Sequence, residues 1–228
     1  TFEAAGLIHK AVSLGGLVGL IDNQNAKTDF TSCVNRGQVI LNAKYGDPAC
    51  EFSYGGSGNT RGINLGGIVG TSSYSLENMP SFVQCINETD GKVSLYHSDF
   101  SALDPSDTFG TVSVAGILGF GQGDFNKCRN YALLSAKSLI TGEPSEKQMK
   151  KKNYLLNVGG IAGCPWDYLQ IASCNNSGNI EVEYYGLYDG DDRWRSAVGG
   201  ICAYGVHNND GTYAYYRKYE GDITVTGK

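Results

Sequence analysis

The sequence predicts an all-β chain folded as a parallel β-helix (β-solenoid) of about five coils, with roughly three strands per coil and loop excursions between coils. Two observations lead to this prediction. A glycine phrase recurs five times, and a Cys-x-Asn phrase follows each of its first four copies in the same order. Self-similarity at a nearly fixed period indicates repeated units that must stack on one another to bury a core.

The glycine phrase has the form apolar, Gly or Ala, Gly, two apolar residues and then usually Gly. Its copies are Leu14–Gly19, Leu65–Gly70, Val114–Gly119, Val158–Gly163 and Val198–Ala203, so their second glycines are 51, 49, 44 and 40 residues apart. Apolar residues occur at both odd and even positions of the phrase, so a strand formed by it would be apolar on both faces. Such strands are usually buried on both faces, as in parallel sheets. Glycine weakens a strand, so its recurrence predicts close approach of another backbone or a bend.

The second phrase reads apolar-x-x-Cys-x-Asn and usually continues as Gly-x-Val or Gly-x-Ile. Its copies are Phe30–Leu41, Phe82–Leu95, Phe125–Ala136 and Ile171–Val182. A fifth copy, Tyr215–Val225, has Arg217 and Tyr219 where Cys and Asn would stand. Cys and Asn lie two residues apart and therefore point to one face of a strand.

Stacked copies would place like residues one strand apart, so we expect two internal rows. The cysteine row is interpreted as small buried hydrophobes rather than a disulfide framework, and it comprises Cys33, Cys85, Cys128 and Cys174. The asparagine row would form a hydrogen-bonded ladder, and it comprises Asn35, Asn87, Asn130 and Asn176. The alternative for the asparagines is an exposed turn before glycine. Cys50, Cys164 and Cys202 receive no role.

The stretch after each Cys-x-Asn phrase alternates apolar and polar residues, which predicts a strand with one buried and one wet face. Variable excursions at roughly 42–63, 97–112, 141–156 and 186–197 predict loops on one flank. A leucine-rich repeat has a shorter period. A propeller blade fits the period but requires four antiparallel strands, and an antiparallel sandwich would not explain the order of the phrases.

Composition limits the class of protein. Of 228 residues, 32 are Gly, 5 are Pro and 18% are charged, which favours many short strands and turns. The net charge of −5 and the lack of a basic stripe disfavour nucleic-acid binding. No apolar run approaches the ~20 residues of a membrane span. The chain lacks a signal peptide and an initial Met, so we expect a single repeat domain, 1–228, cut from a longer surface protein, with a mature secreted chain as the alternative.

The sequence contains no HExxH, GxSxG or P-loop phrase, and its three histidines are isolated. We therefore expect no enzyme activity, no cofactor and no metal site. The oligomeric state stays open. The alternative is a carbohydrate-active β-helix enzyme, a polysaccharide lyase or hydrolase, for which paired carboxylates would be the minimum. A further alternative is a structural spacer.

Aromatic residues concentrate toward the end of the chain, where nine of the 15 tyrosines and both tryptophans follow residue 160. Amphipathic rings on loops can stack on sugars or anchor a protein partner. The predicted ligand-binding surface comprises Trp166, Tyr168, Tyr188, Asp189, Asp191 and Trp194. The competing interpretations are that the aromatic residues cap the last coil, and that the aspartates belong to an ordinary Asp-Gly turn.

The pairing of the two phrases resembles the GLUG-motif repeats of bacterial secreted and cell-surface proteins. The resemblance covers nearly the whole chain and rests on three pairs of segments: Leu14–Gly19 with Ser32–Gly37, Leu65–Gly70 with Gln84–Asn87, and Val158–Gly163 with Ser173–Gly178. The third copy departs from it at Ala115 and Ala132, and the fifth lacks Cys and Asn. The resemblance implies an extracellular β-solenoid that acts as an adhesin or spacer, binding a glycan or a host or partner protein.

Overall fold

A computed structural model describes residues 12–22, 25–44, 63–72, 77–98, 110–139, 154–184, 197–203, 214–215, 218–219 and 221–227. Within these ranges all regular structure is β, and the paired strands run parallel. The prediction of an all-β chain with parallel sheets is confirmed, and the arrangement fits a β-solenoid. No helix in the described ranges is long and apolar enough to cross a membrane. We call the five copies of the glycine phrase, each with the segment after it, the first to fifth repeats.

The strands form four sheets, and each sheet takes at least one strand from every repeat. Sheet 1 precedes the Gly-Gly pair and comprises β1 (Val12–Gly15), β6 (Ile63–Gly66), β11 (Gly110–Ala115), β15 (Tyr154–Gly159) and β19 (Ala197–Gly199). Sheet 2 follows that pair and comprises β2 (Val18–Ile21), β7 (Val69–Ser72), β12 (Leu118–Asn126), β16 (Ala162–Ala172) and β20 (Ala214–Tyr215), extended by β3 (Asp29–Thr31) and β8 (Ser81–Val83).

The other two sheets follow the cysteine position. Sheet 3 comprises β4 (Val34–Asn35), β9 (Ile86–Asn87), β13 (Arg129–Asn130), β17 (Asn175–Asn176) and β21 (Lys218–Tyr219). Sheet 4 comprises β5 (Gln38–Lys44), β10 (Lys92–Ser98), β14 (Leu133–Leu139), β18 (Ile180–Tyr184) and β22 (Ile223–Gly227). In every sheet the first and fifth repeats supply the two edge strands.

The register pairs equivalent positions of the repeated phrases. Asn35 pairs with Asn87, Asn87 with Asn130, and Asn130 with Asn176. Tyr219 pairs with Asn176, so the fifth repeat keeps the register although it lacks the amide. Parallel strands in such a register place like side chains about 4.8 Å apart along the stack.

The glycine phrase contains a bend between two strands, so the prediction of one continuous strand is wrong, whereas the bend offered as a reason for its glycines is present. Sheet 1 ends at the first glycine, sheet 2 begins two residues after the second, and the intervening residues bend the chain. Ile68 and Val69 both lie in the same apolar cluster. Consecutive residues can both face inward because the chain turns a corner between them. The rule that successive side chains of a strand point to opposite faces does not apply across a corner.

The Cys-x-Asn phrase also bends, at the residue immediately before cysteine. Ser32, Gln84, Lys127 and Ser173 occupy the left-handed region, with φ of 54° or 55°. This bend divides the phrase between sheets 2 and 3, so the structure has four sheets where the sequence indicated about three strands per unit. All four residues are exposed, and none is glycine or asparagine, the residues that most readily adopt this conformation.

Two apolar columns run through the stack. One lies between sheets 1 and 4 and includes Leu65, Leu95, Val114 and Leu134. The other is enclosed by sheet 2 and the cysteine row, and it includes Ile68. Phe30, Phe82 and Phe125 stack within the second column at centroid separations of 5.1 and 4.9 Å.

Candidate functional site

Most of the predicted ligand-binding surface lies outside the described residues. Tyr188, Asp189, Asp191 and Trp194 fall there. Trp166 and Tyr168 lie on the backbone of β16, and their side chains are not described. The proposal that these six residues recognise a ligand therefore stays a prediction. Cys50 and most of each predicted excursion also lie outside the described ranges.

The asparagine row is a hydrogen-bonded ladder inside the stack. Asn35 Nδ2 donates to Asn87 Oδ1 at 2.9 Å, and Asn87 Nδ2 donates to Asn130 Oδ1 at 2.9 Å. Asn130 Nδ2 in turn donates to Asn176 Oδ1 at 2.6 Å. All four side chains are buried, so the alternative of exposed turn asparagines does not describe them. Aligned amides polarise one another, which strengthens such a chain of hydrogen bonds.

Three of the four ladder amides also close the turn that follows them. Asn35 and Asn176 donate to the carbonyl oxygens of Gly37 and Gly178, both at 3.1 Å. Asn130 donates to the Ala132 carbonyl oxygen at 3.0 Å, so the turn survives the loss of glycine in the third repeat. These contacts satisfy groups that would otherwise be costly to bury. The ladder is consequently a structural element and leaves no amide directed toward a ligand.

The second glycine of the Gly-Gly pair packs directly on this ladder. A Cβ on Gly67 would lie 2.6 Å from Asn87 Cγ and would clash with the carbonyl oxygen of Gly116. A Cβ on Gly116 would lie 2.5 Å from Asn130 Cγ in the same way. Only glycine allows the backbone to approach the amide this closely. This contact explains why the two phrases recur together, and it lies between the two apolar columns.

The cysteine row consists of free thiols, and two of them donate weak hydrogen bonds to the preceding repeat. Cys85 Sγ lies 3.4 Å from the Phe30 carbonyl oxygen, and Cys128 Sγ lies 3.1 Å from that of Phe82. The neighbouring Cys174 thiol and burial raise the pKa of Cys128 to about 12. Burial likewise raises the pKa of Cys164 to about 12. Cysteines with such pKa values stay protonated at neutral pH and are poor nucleophiles and poor metal ligands.

The outer face of sheet 4 presents a row of polar side chains across all five repeats. We call this the sheet 4 row, and it comprises Asn42, Tyr96, Lys137, Glu183 and Thr226. Tyr96 is 39% exposed, and Lys137 Nζ lies 3.2 Å from Glu183 Oε2. The apolar and polar alternation predicted the wet face, but only the register shows which residues share a row.

A second row, on the outer face of sheet 2, contains two carboxylates. Asp29 pairs with Ser81, and Ser81 pairs with Asp124. The Ser81 hydroxyl donates to Asp29 Oδ1 at 2.7 Å and lowers the pKa of that carboxyl, whereas burial raises the pKa of Asp124. Lys27 Nζ lies 3.4 Å from Asp29 Oδ1. Among the described residues no group of three or more His, Cys, Asp or Glu could hold a metal ion.

No protein-family model, curated protein or solved structure matches this chain.

Proposed function

We propose that the chain is a non-enzymatic segment of a bacterial surface protein, an extracellular parallel β-helix of five coils that binds a glycan chain along its outer face. The proposal combines the GLUG-like phrases with the fold, since rigid stacks present extended binding surfaces. The observation that carries it is the sheet 4 row. Asn42, Lys137, Glu183 and Thr226 offer hydrogen-bonding groups at a regular strand spacing, and Tyr96 adds a half-exposed ring.

A linear glycan suits this row because both are periodic. Each sugar offers hydroxyl groups for hydrogen bonds and an apolar face that can stack on an aromatic ring. A row of hydrogen-bonding side chains at strand spacing would contact several sugars in succession. A folded host or partner protein is the other ligand class of this proposal. Such a protein would bind through a surface complementary in shape, and its binding would not depend on the regular spacing of the row.

The test is an array of immobilised linear polysaccharides and oligosaccharides probed with the labelled chain. We expect Tyr96→Ala to reduce binding at least about fivefold, since an aromatic anchor typically contributes more than about 1 kcal/mol. Tyr131→Ala is the matched control, because Tyr131 lies outside the sheet 4 row. Equal binding by both variants would exclude this face. A parent chain that binds no glycan would favour the spacer.

The aromatic residues of the sequence prediction form a separate candidate surface. We expect the double variant Trp166→Ala and Trp194→Ala to lose array binding while keeping its melting temperature, if these rings contact the ligand. Lower thermal stability with no array signal in the parent chain would instead assign the rings to capping the last coil. Comparing this variant with Tyr96→Ala determines which of the two surfaces binds.

One observation favours the alternative of a carbohydrate-active enzyme. Asp29 and Asp124 lie two strands apart, so their backbones are separated by about 10 Å, near the upper limit for an inverting pair of carboxylates. Their pKa values are displaced in opposite directions, as an acid and base pair requires. The test is release of reducing ends from a polysaccharide panel. Turnover by the parent chain that Asp124→Asn abolishes would replace the non-enzymatic proposal.

A further inference from the structure

The four members of the cysteine row lie in register with one another, although each precedes its strand of sheet 3. The amide of Ile86 donates to the carbonyl oxygen of Cys33 at 2.8 Å, and the amide of Asn175 donates to that of Cys128 at 3.0 Å. These bonds extend the parallel register of sheet 3 back to the cysteines. Neighbouring cysteines of the row are therefore about 4.8 Å apart along the stack.

The thiols of the first two members lie side by side. Cys33 Sγ lies 3.8 Å from the Thr31 carbonyl oxygen, and Cys85 Sγ lies 3.4 Å from the Phe30 carbonyl oxygen. The two sulfur atoms thus rest on consecutive carbonyl groups of β3. Burial and the Cys85 thiol both raise the pKa of Cys33, which is consistent with sulfur atoms that are direct neighbours.

The third and fourth members are related in the same way. Cys128 and Cys174 belong to the same apolar column, so their side chains point to the same side of the stack. The Cys174 thiol raises the pKa of Cys128, and the Cys128 thiol lowers the pKa of Cys174. The two thiols therefore also act on each other directly.

This spacing is that of a cross-strand disulfide. Bonded cysteines have Cα atoms about 4.4–6.8 Å apart, which neighbours in the row satisfy. Cys33 and Cys128 are separated by two strand spacings, about 9.6 Å, and cannot be joined without moving the backbone. The row can consequently hold two disulfides only as Cys33 with Cys85 and Cys128 with Cys174. A bond between Cys85 and Cys128 would leave the outer two cysteines too far apart to pair.

We propose that the cysteine row is an oxidation site, at which a small-molecule disulfide converts its four thiols into one bond between the first and second repeats and one between the third and fourth. This inference is independent of glycan binding. For each bond, a protein thiol loses its proton, and the thiolate attacks the oxidant, breaking its S–S bond and releasing one thiolate. The second protein thiol also loses its proton, and its thiolate attacks the protein sulfur of the mixed disulfide and releases the other half of the oxidant. Two protein thiols are oxidised, and the oxidant is reduced to two thiols that take up the two protons.

Burial determines when these bonds form. Cys85, Cys128 and Cys174 are buried in the folded stack, and buried protonated thiols exchange slowly. The exchange therefore takes place while the repeats dock and before the row closes. Each bond then closes a long segment of chain, 33–85 or 128–174, and a disulfide that closes a long loop restricts the unfolded chain strongly.

The experiment is refolding of the denatured and reduced chain in a mixture of reduced and oxidised glutathione. Refolding is used because the folded row is buried. The triple variant Cys50→Ala, Cys164→Ala and Cys202→Ala removes the other thiols, and alkylation followed by peptide mass spectrometry identifies the remaining free and bonded cysteines. We expect two bonds and no free thiol. The oxidised protein should melt about 5–15 °C above the same protein in reductant. If the triple variant does not fold, the unchanged chain is analysed, since linked peptides identify each cysteine.

Single substitutions separate the two bonds. Cys85→Ala should keep the bond between Cys128 and Cys174 and leave Cys33 free, and Cys128→Ala should do the converse. The double variant Cys33→Ala and Cys174→Ala should join Cys85 to Cys128, because they are also neighbours in the row. Circular dichroism verifies that each variant is folded. A folded parent chain whose four thiols stay free after refolding in glutathione would overturn the proposal. Bonds between cysteines that are not neighbours in the row would also overturn it.

Discussion

At the scale of single residues, the buried asparagine of a repeat and the second glycine of its Gly-Gly pair depend on one another. The buried asparagine needs a partner on each side, and the facing backbone must lack a Cβ so that the amide fits. The sequence predicted the asparagine row and proposed close approach as a reason for the glycines. It could not show that the glycines approach the asparagines, because the second glycine and the asparagine of a repeat lie 14 to 20 residues apart in the chain.

Removing an internal member of the ladder should destabilise the protein more than removing its first member. Asn130→Leu leaves Asn87 Nδ2 and Asn176 Oδ1 buried without their ladder partners, so we expect a loss of about 2–5 kcal/mol in the free energy of unfolding. Asn35→Leu leaves only Asn87 Oδ1 without its ladder donor and should lose about half as much. Urea unfolding of both variants measures the difference, and equal losses would contradict cooperation along the ladder.

The two glycines of one pair should differ in their tolerance of a methyl group. Gly67→Ala forces a Cβ against Asn87 and the Gly116 carbonyl, and we expect a loss of at least about 2 kcal/mol in stability or failure to fold. A Cβ on Gly66 would also clash with the carbonyl oxygens of Val69 and Ile117, but Gly66→Ala should be milder because the third repeat accommodates Ala115 at the paired position. Thermal melting of the two single variants tests this order. Greater damage from Gly66→Ala would refute it.

The two carboxylates of sheet 2 should respond to pH with opposite signs. Burial raises the pKa of Asp124, so the folded state binds more protons than the unfolded state above the usual pKa, and stability falls as pH rises. Asp124→Asn should therefore raise the melting temperature at pH 7 and have little effect below about pH 3. The Ser81 hydroxyl lowers the pKa of Asp29, so Asp29→Asn should lower the melting temperature at pH 7 only. Shifts of the same sign at pH 7 would contradict these environments.

At the scale of elements, the corners were the hardest feature to predict. Apolar residues on both parities of the glycine phrase resemble a buried strand, yet Ile68 and Val69 both reach one column because the chain bends there. The second corner is formed by Ser32, Gln84, Lys127 and Ser173, whose side chains share no property that signals a left-handed backbone. The signal that the sequence offers for this corner is the position of these residues, each immediately before the cysteine of its repeat. Their conformation is imposed by stacking on neighbouring repeats and not by local preference.

The phenylalanine stack provides a test of the second apolar column. Phe82 stacks on both Phe30 and Phe125, and we expect Phe82→Ala to lose about 3–5 kcal/mol of stability through the cavity and both ring contacts. Phe30→Ala removes a ring with a single described stacking partner and should lose about 1 kcal/mol less. Chemical denaturation of both variants measures the difference. Equal values would show that ring stacking along the column contributes little.

At the scale of the molecule, phrase order was enough to predict the parallel arrangement. Two phrases that recur in one order can align in every copy only if successive copies run in the same direction, and the register of Asn35 on Asn87 has this property. The candidate site was less accessible from sequence. The sheet 4 row joins Asn42, Tyr96 and Lys137 from three repeats, and no spacing within one phrase indicates that they are neighbours.

Stacking of equivalent repeats also predicts that one whole period is dispensable. Deleting residues 116–159 joins Ala115 to Gly160, restores a glycine phrase and brings Asn87 into register with Asn176. Stability of a stacked array is approximately a sum of repeat and neighbour terms, so the shortened chain should fold with an unchanged β-type circular dichroism spectrum and a lower denaturation midpoint. Deleting residues 116–137 removes half a period, and this control should not fold because the rows no longer coincide. A folded control together with an unfolded whole-period deletion would show that the repeats are not equivalent layers of one stack.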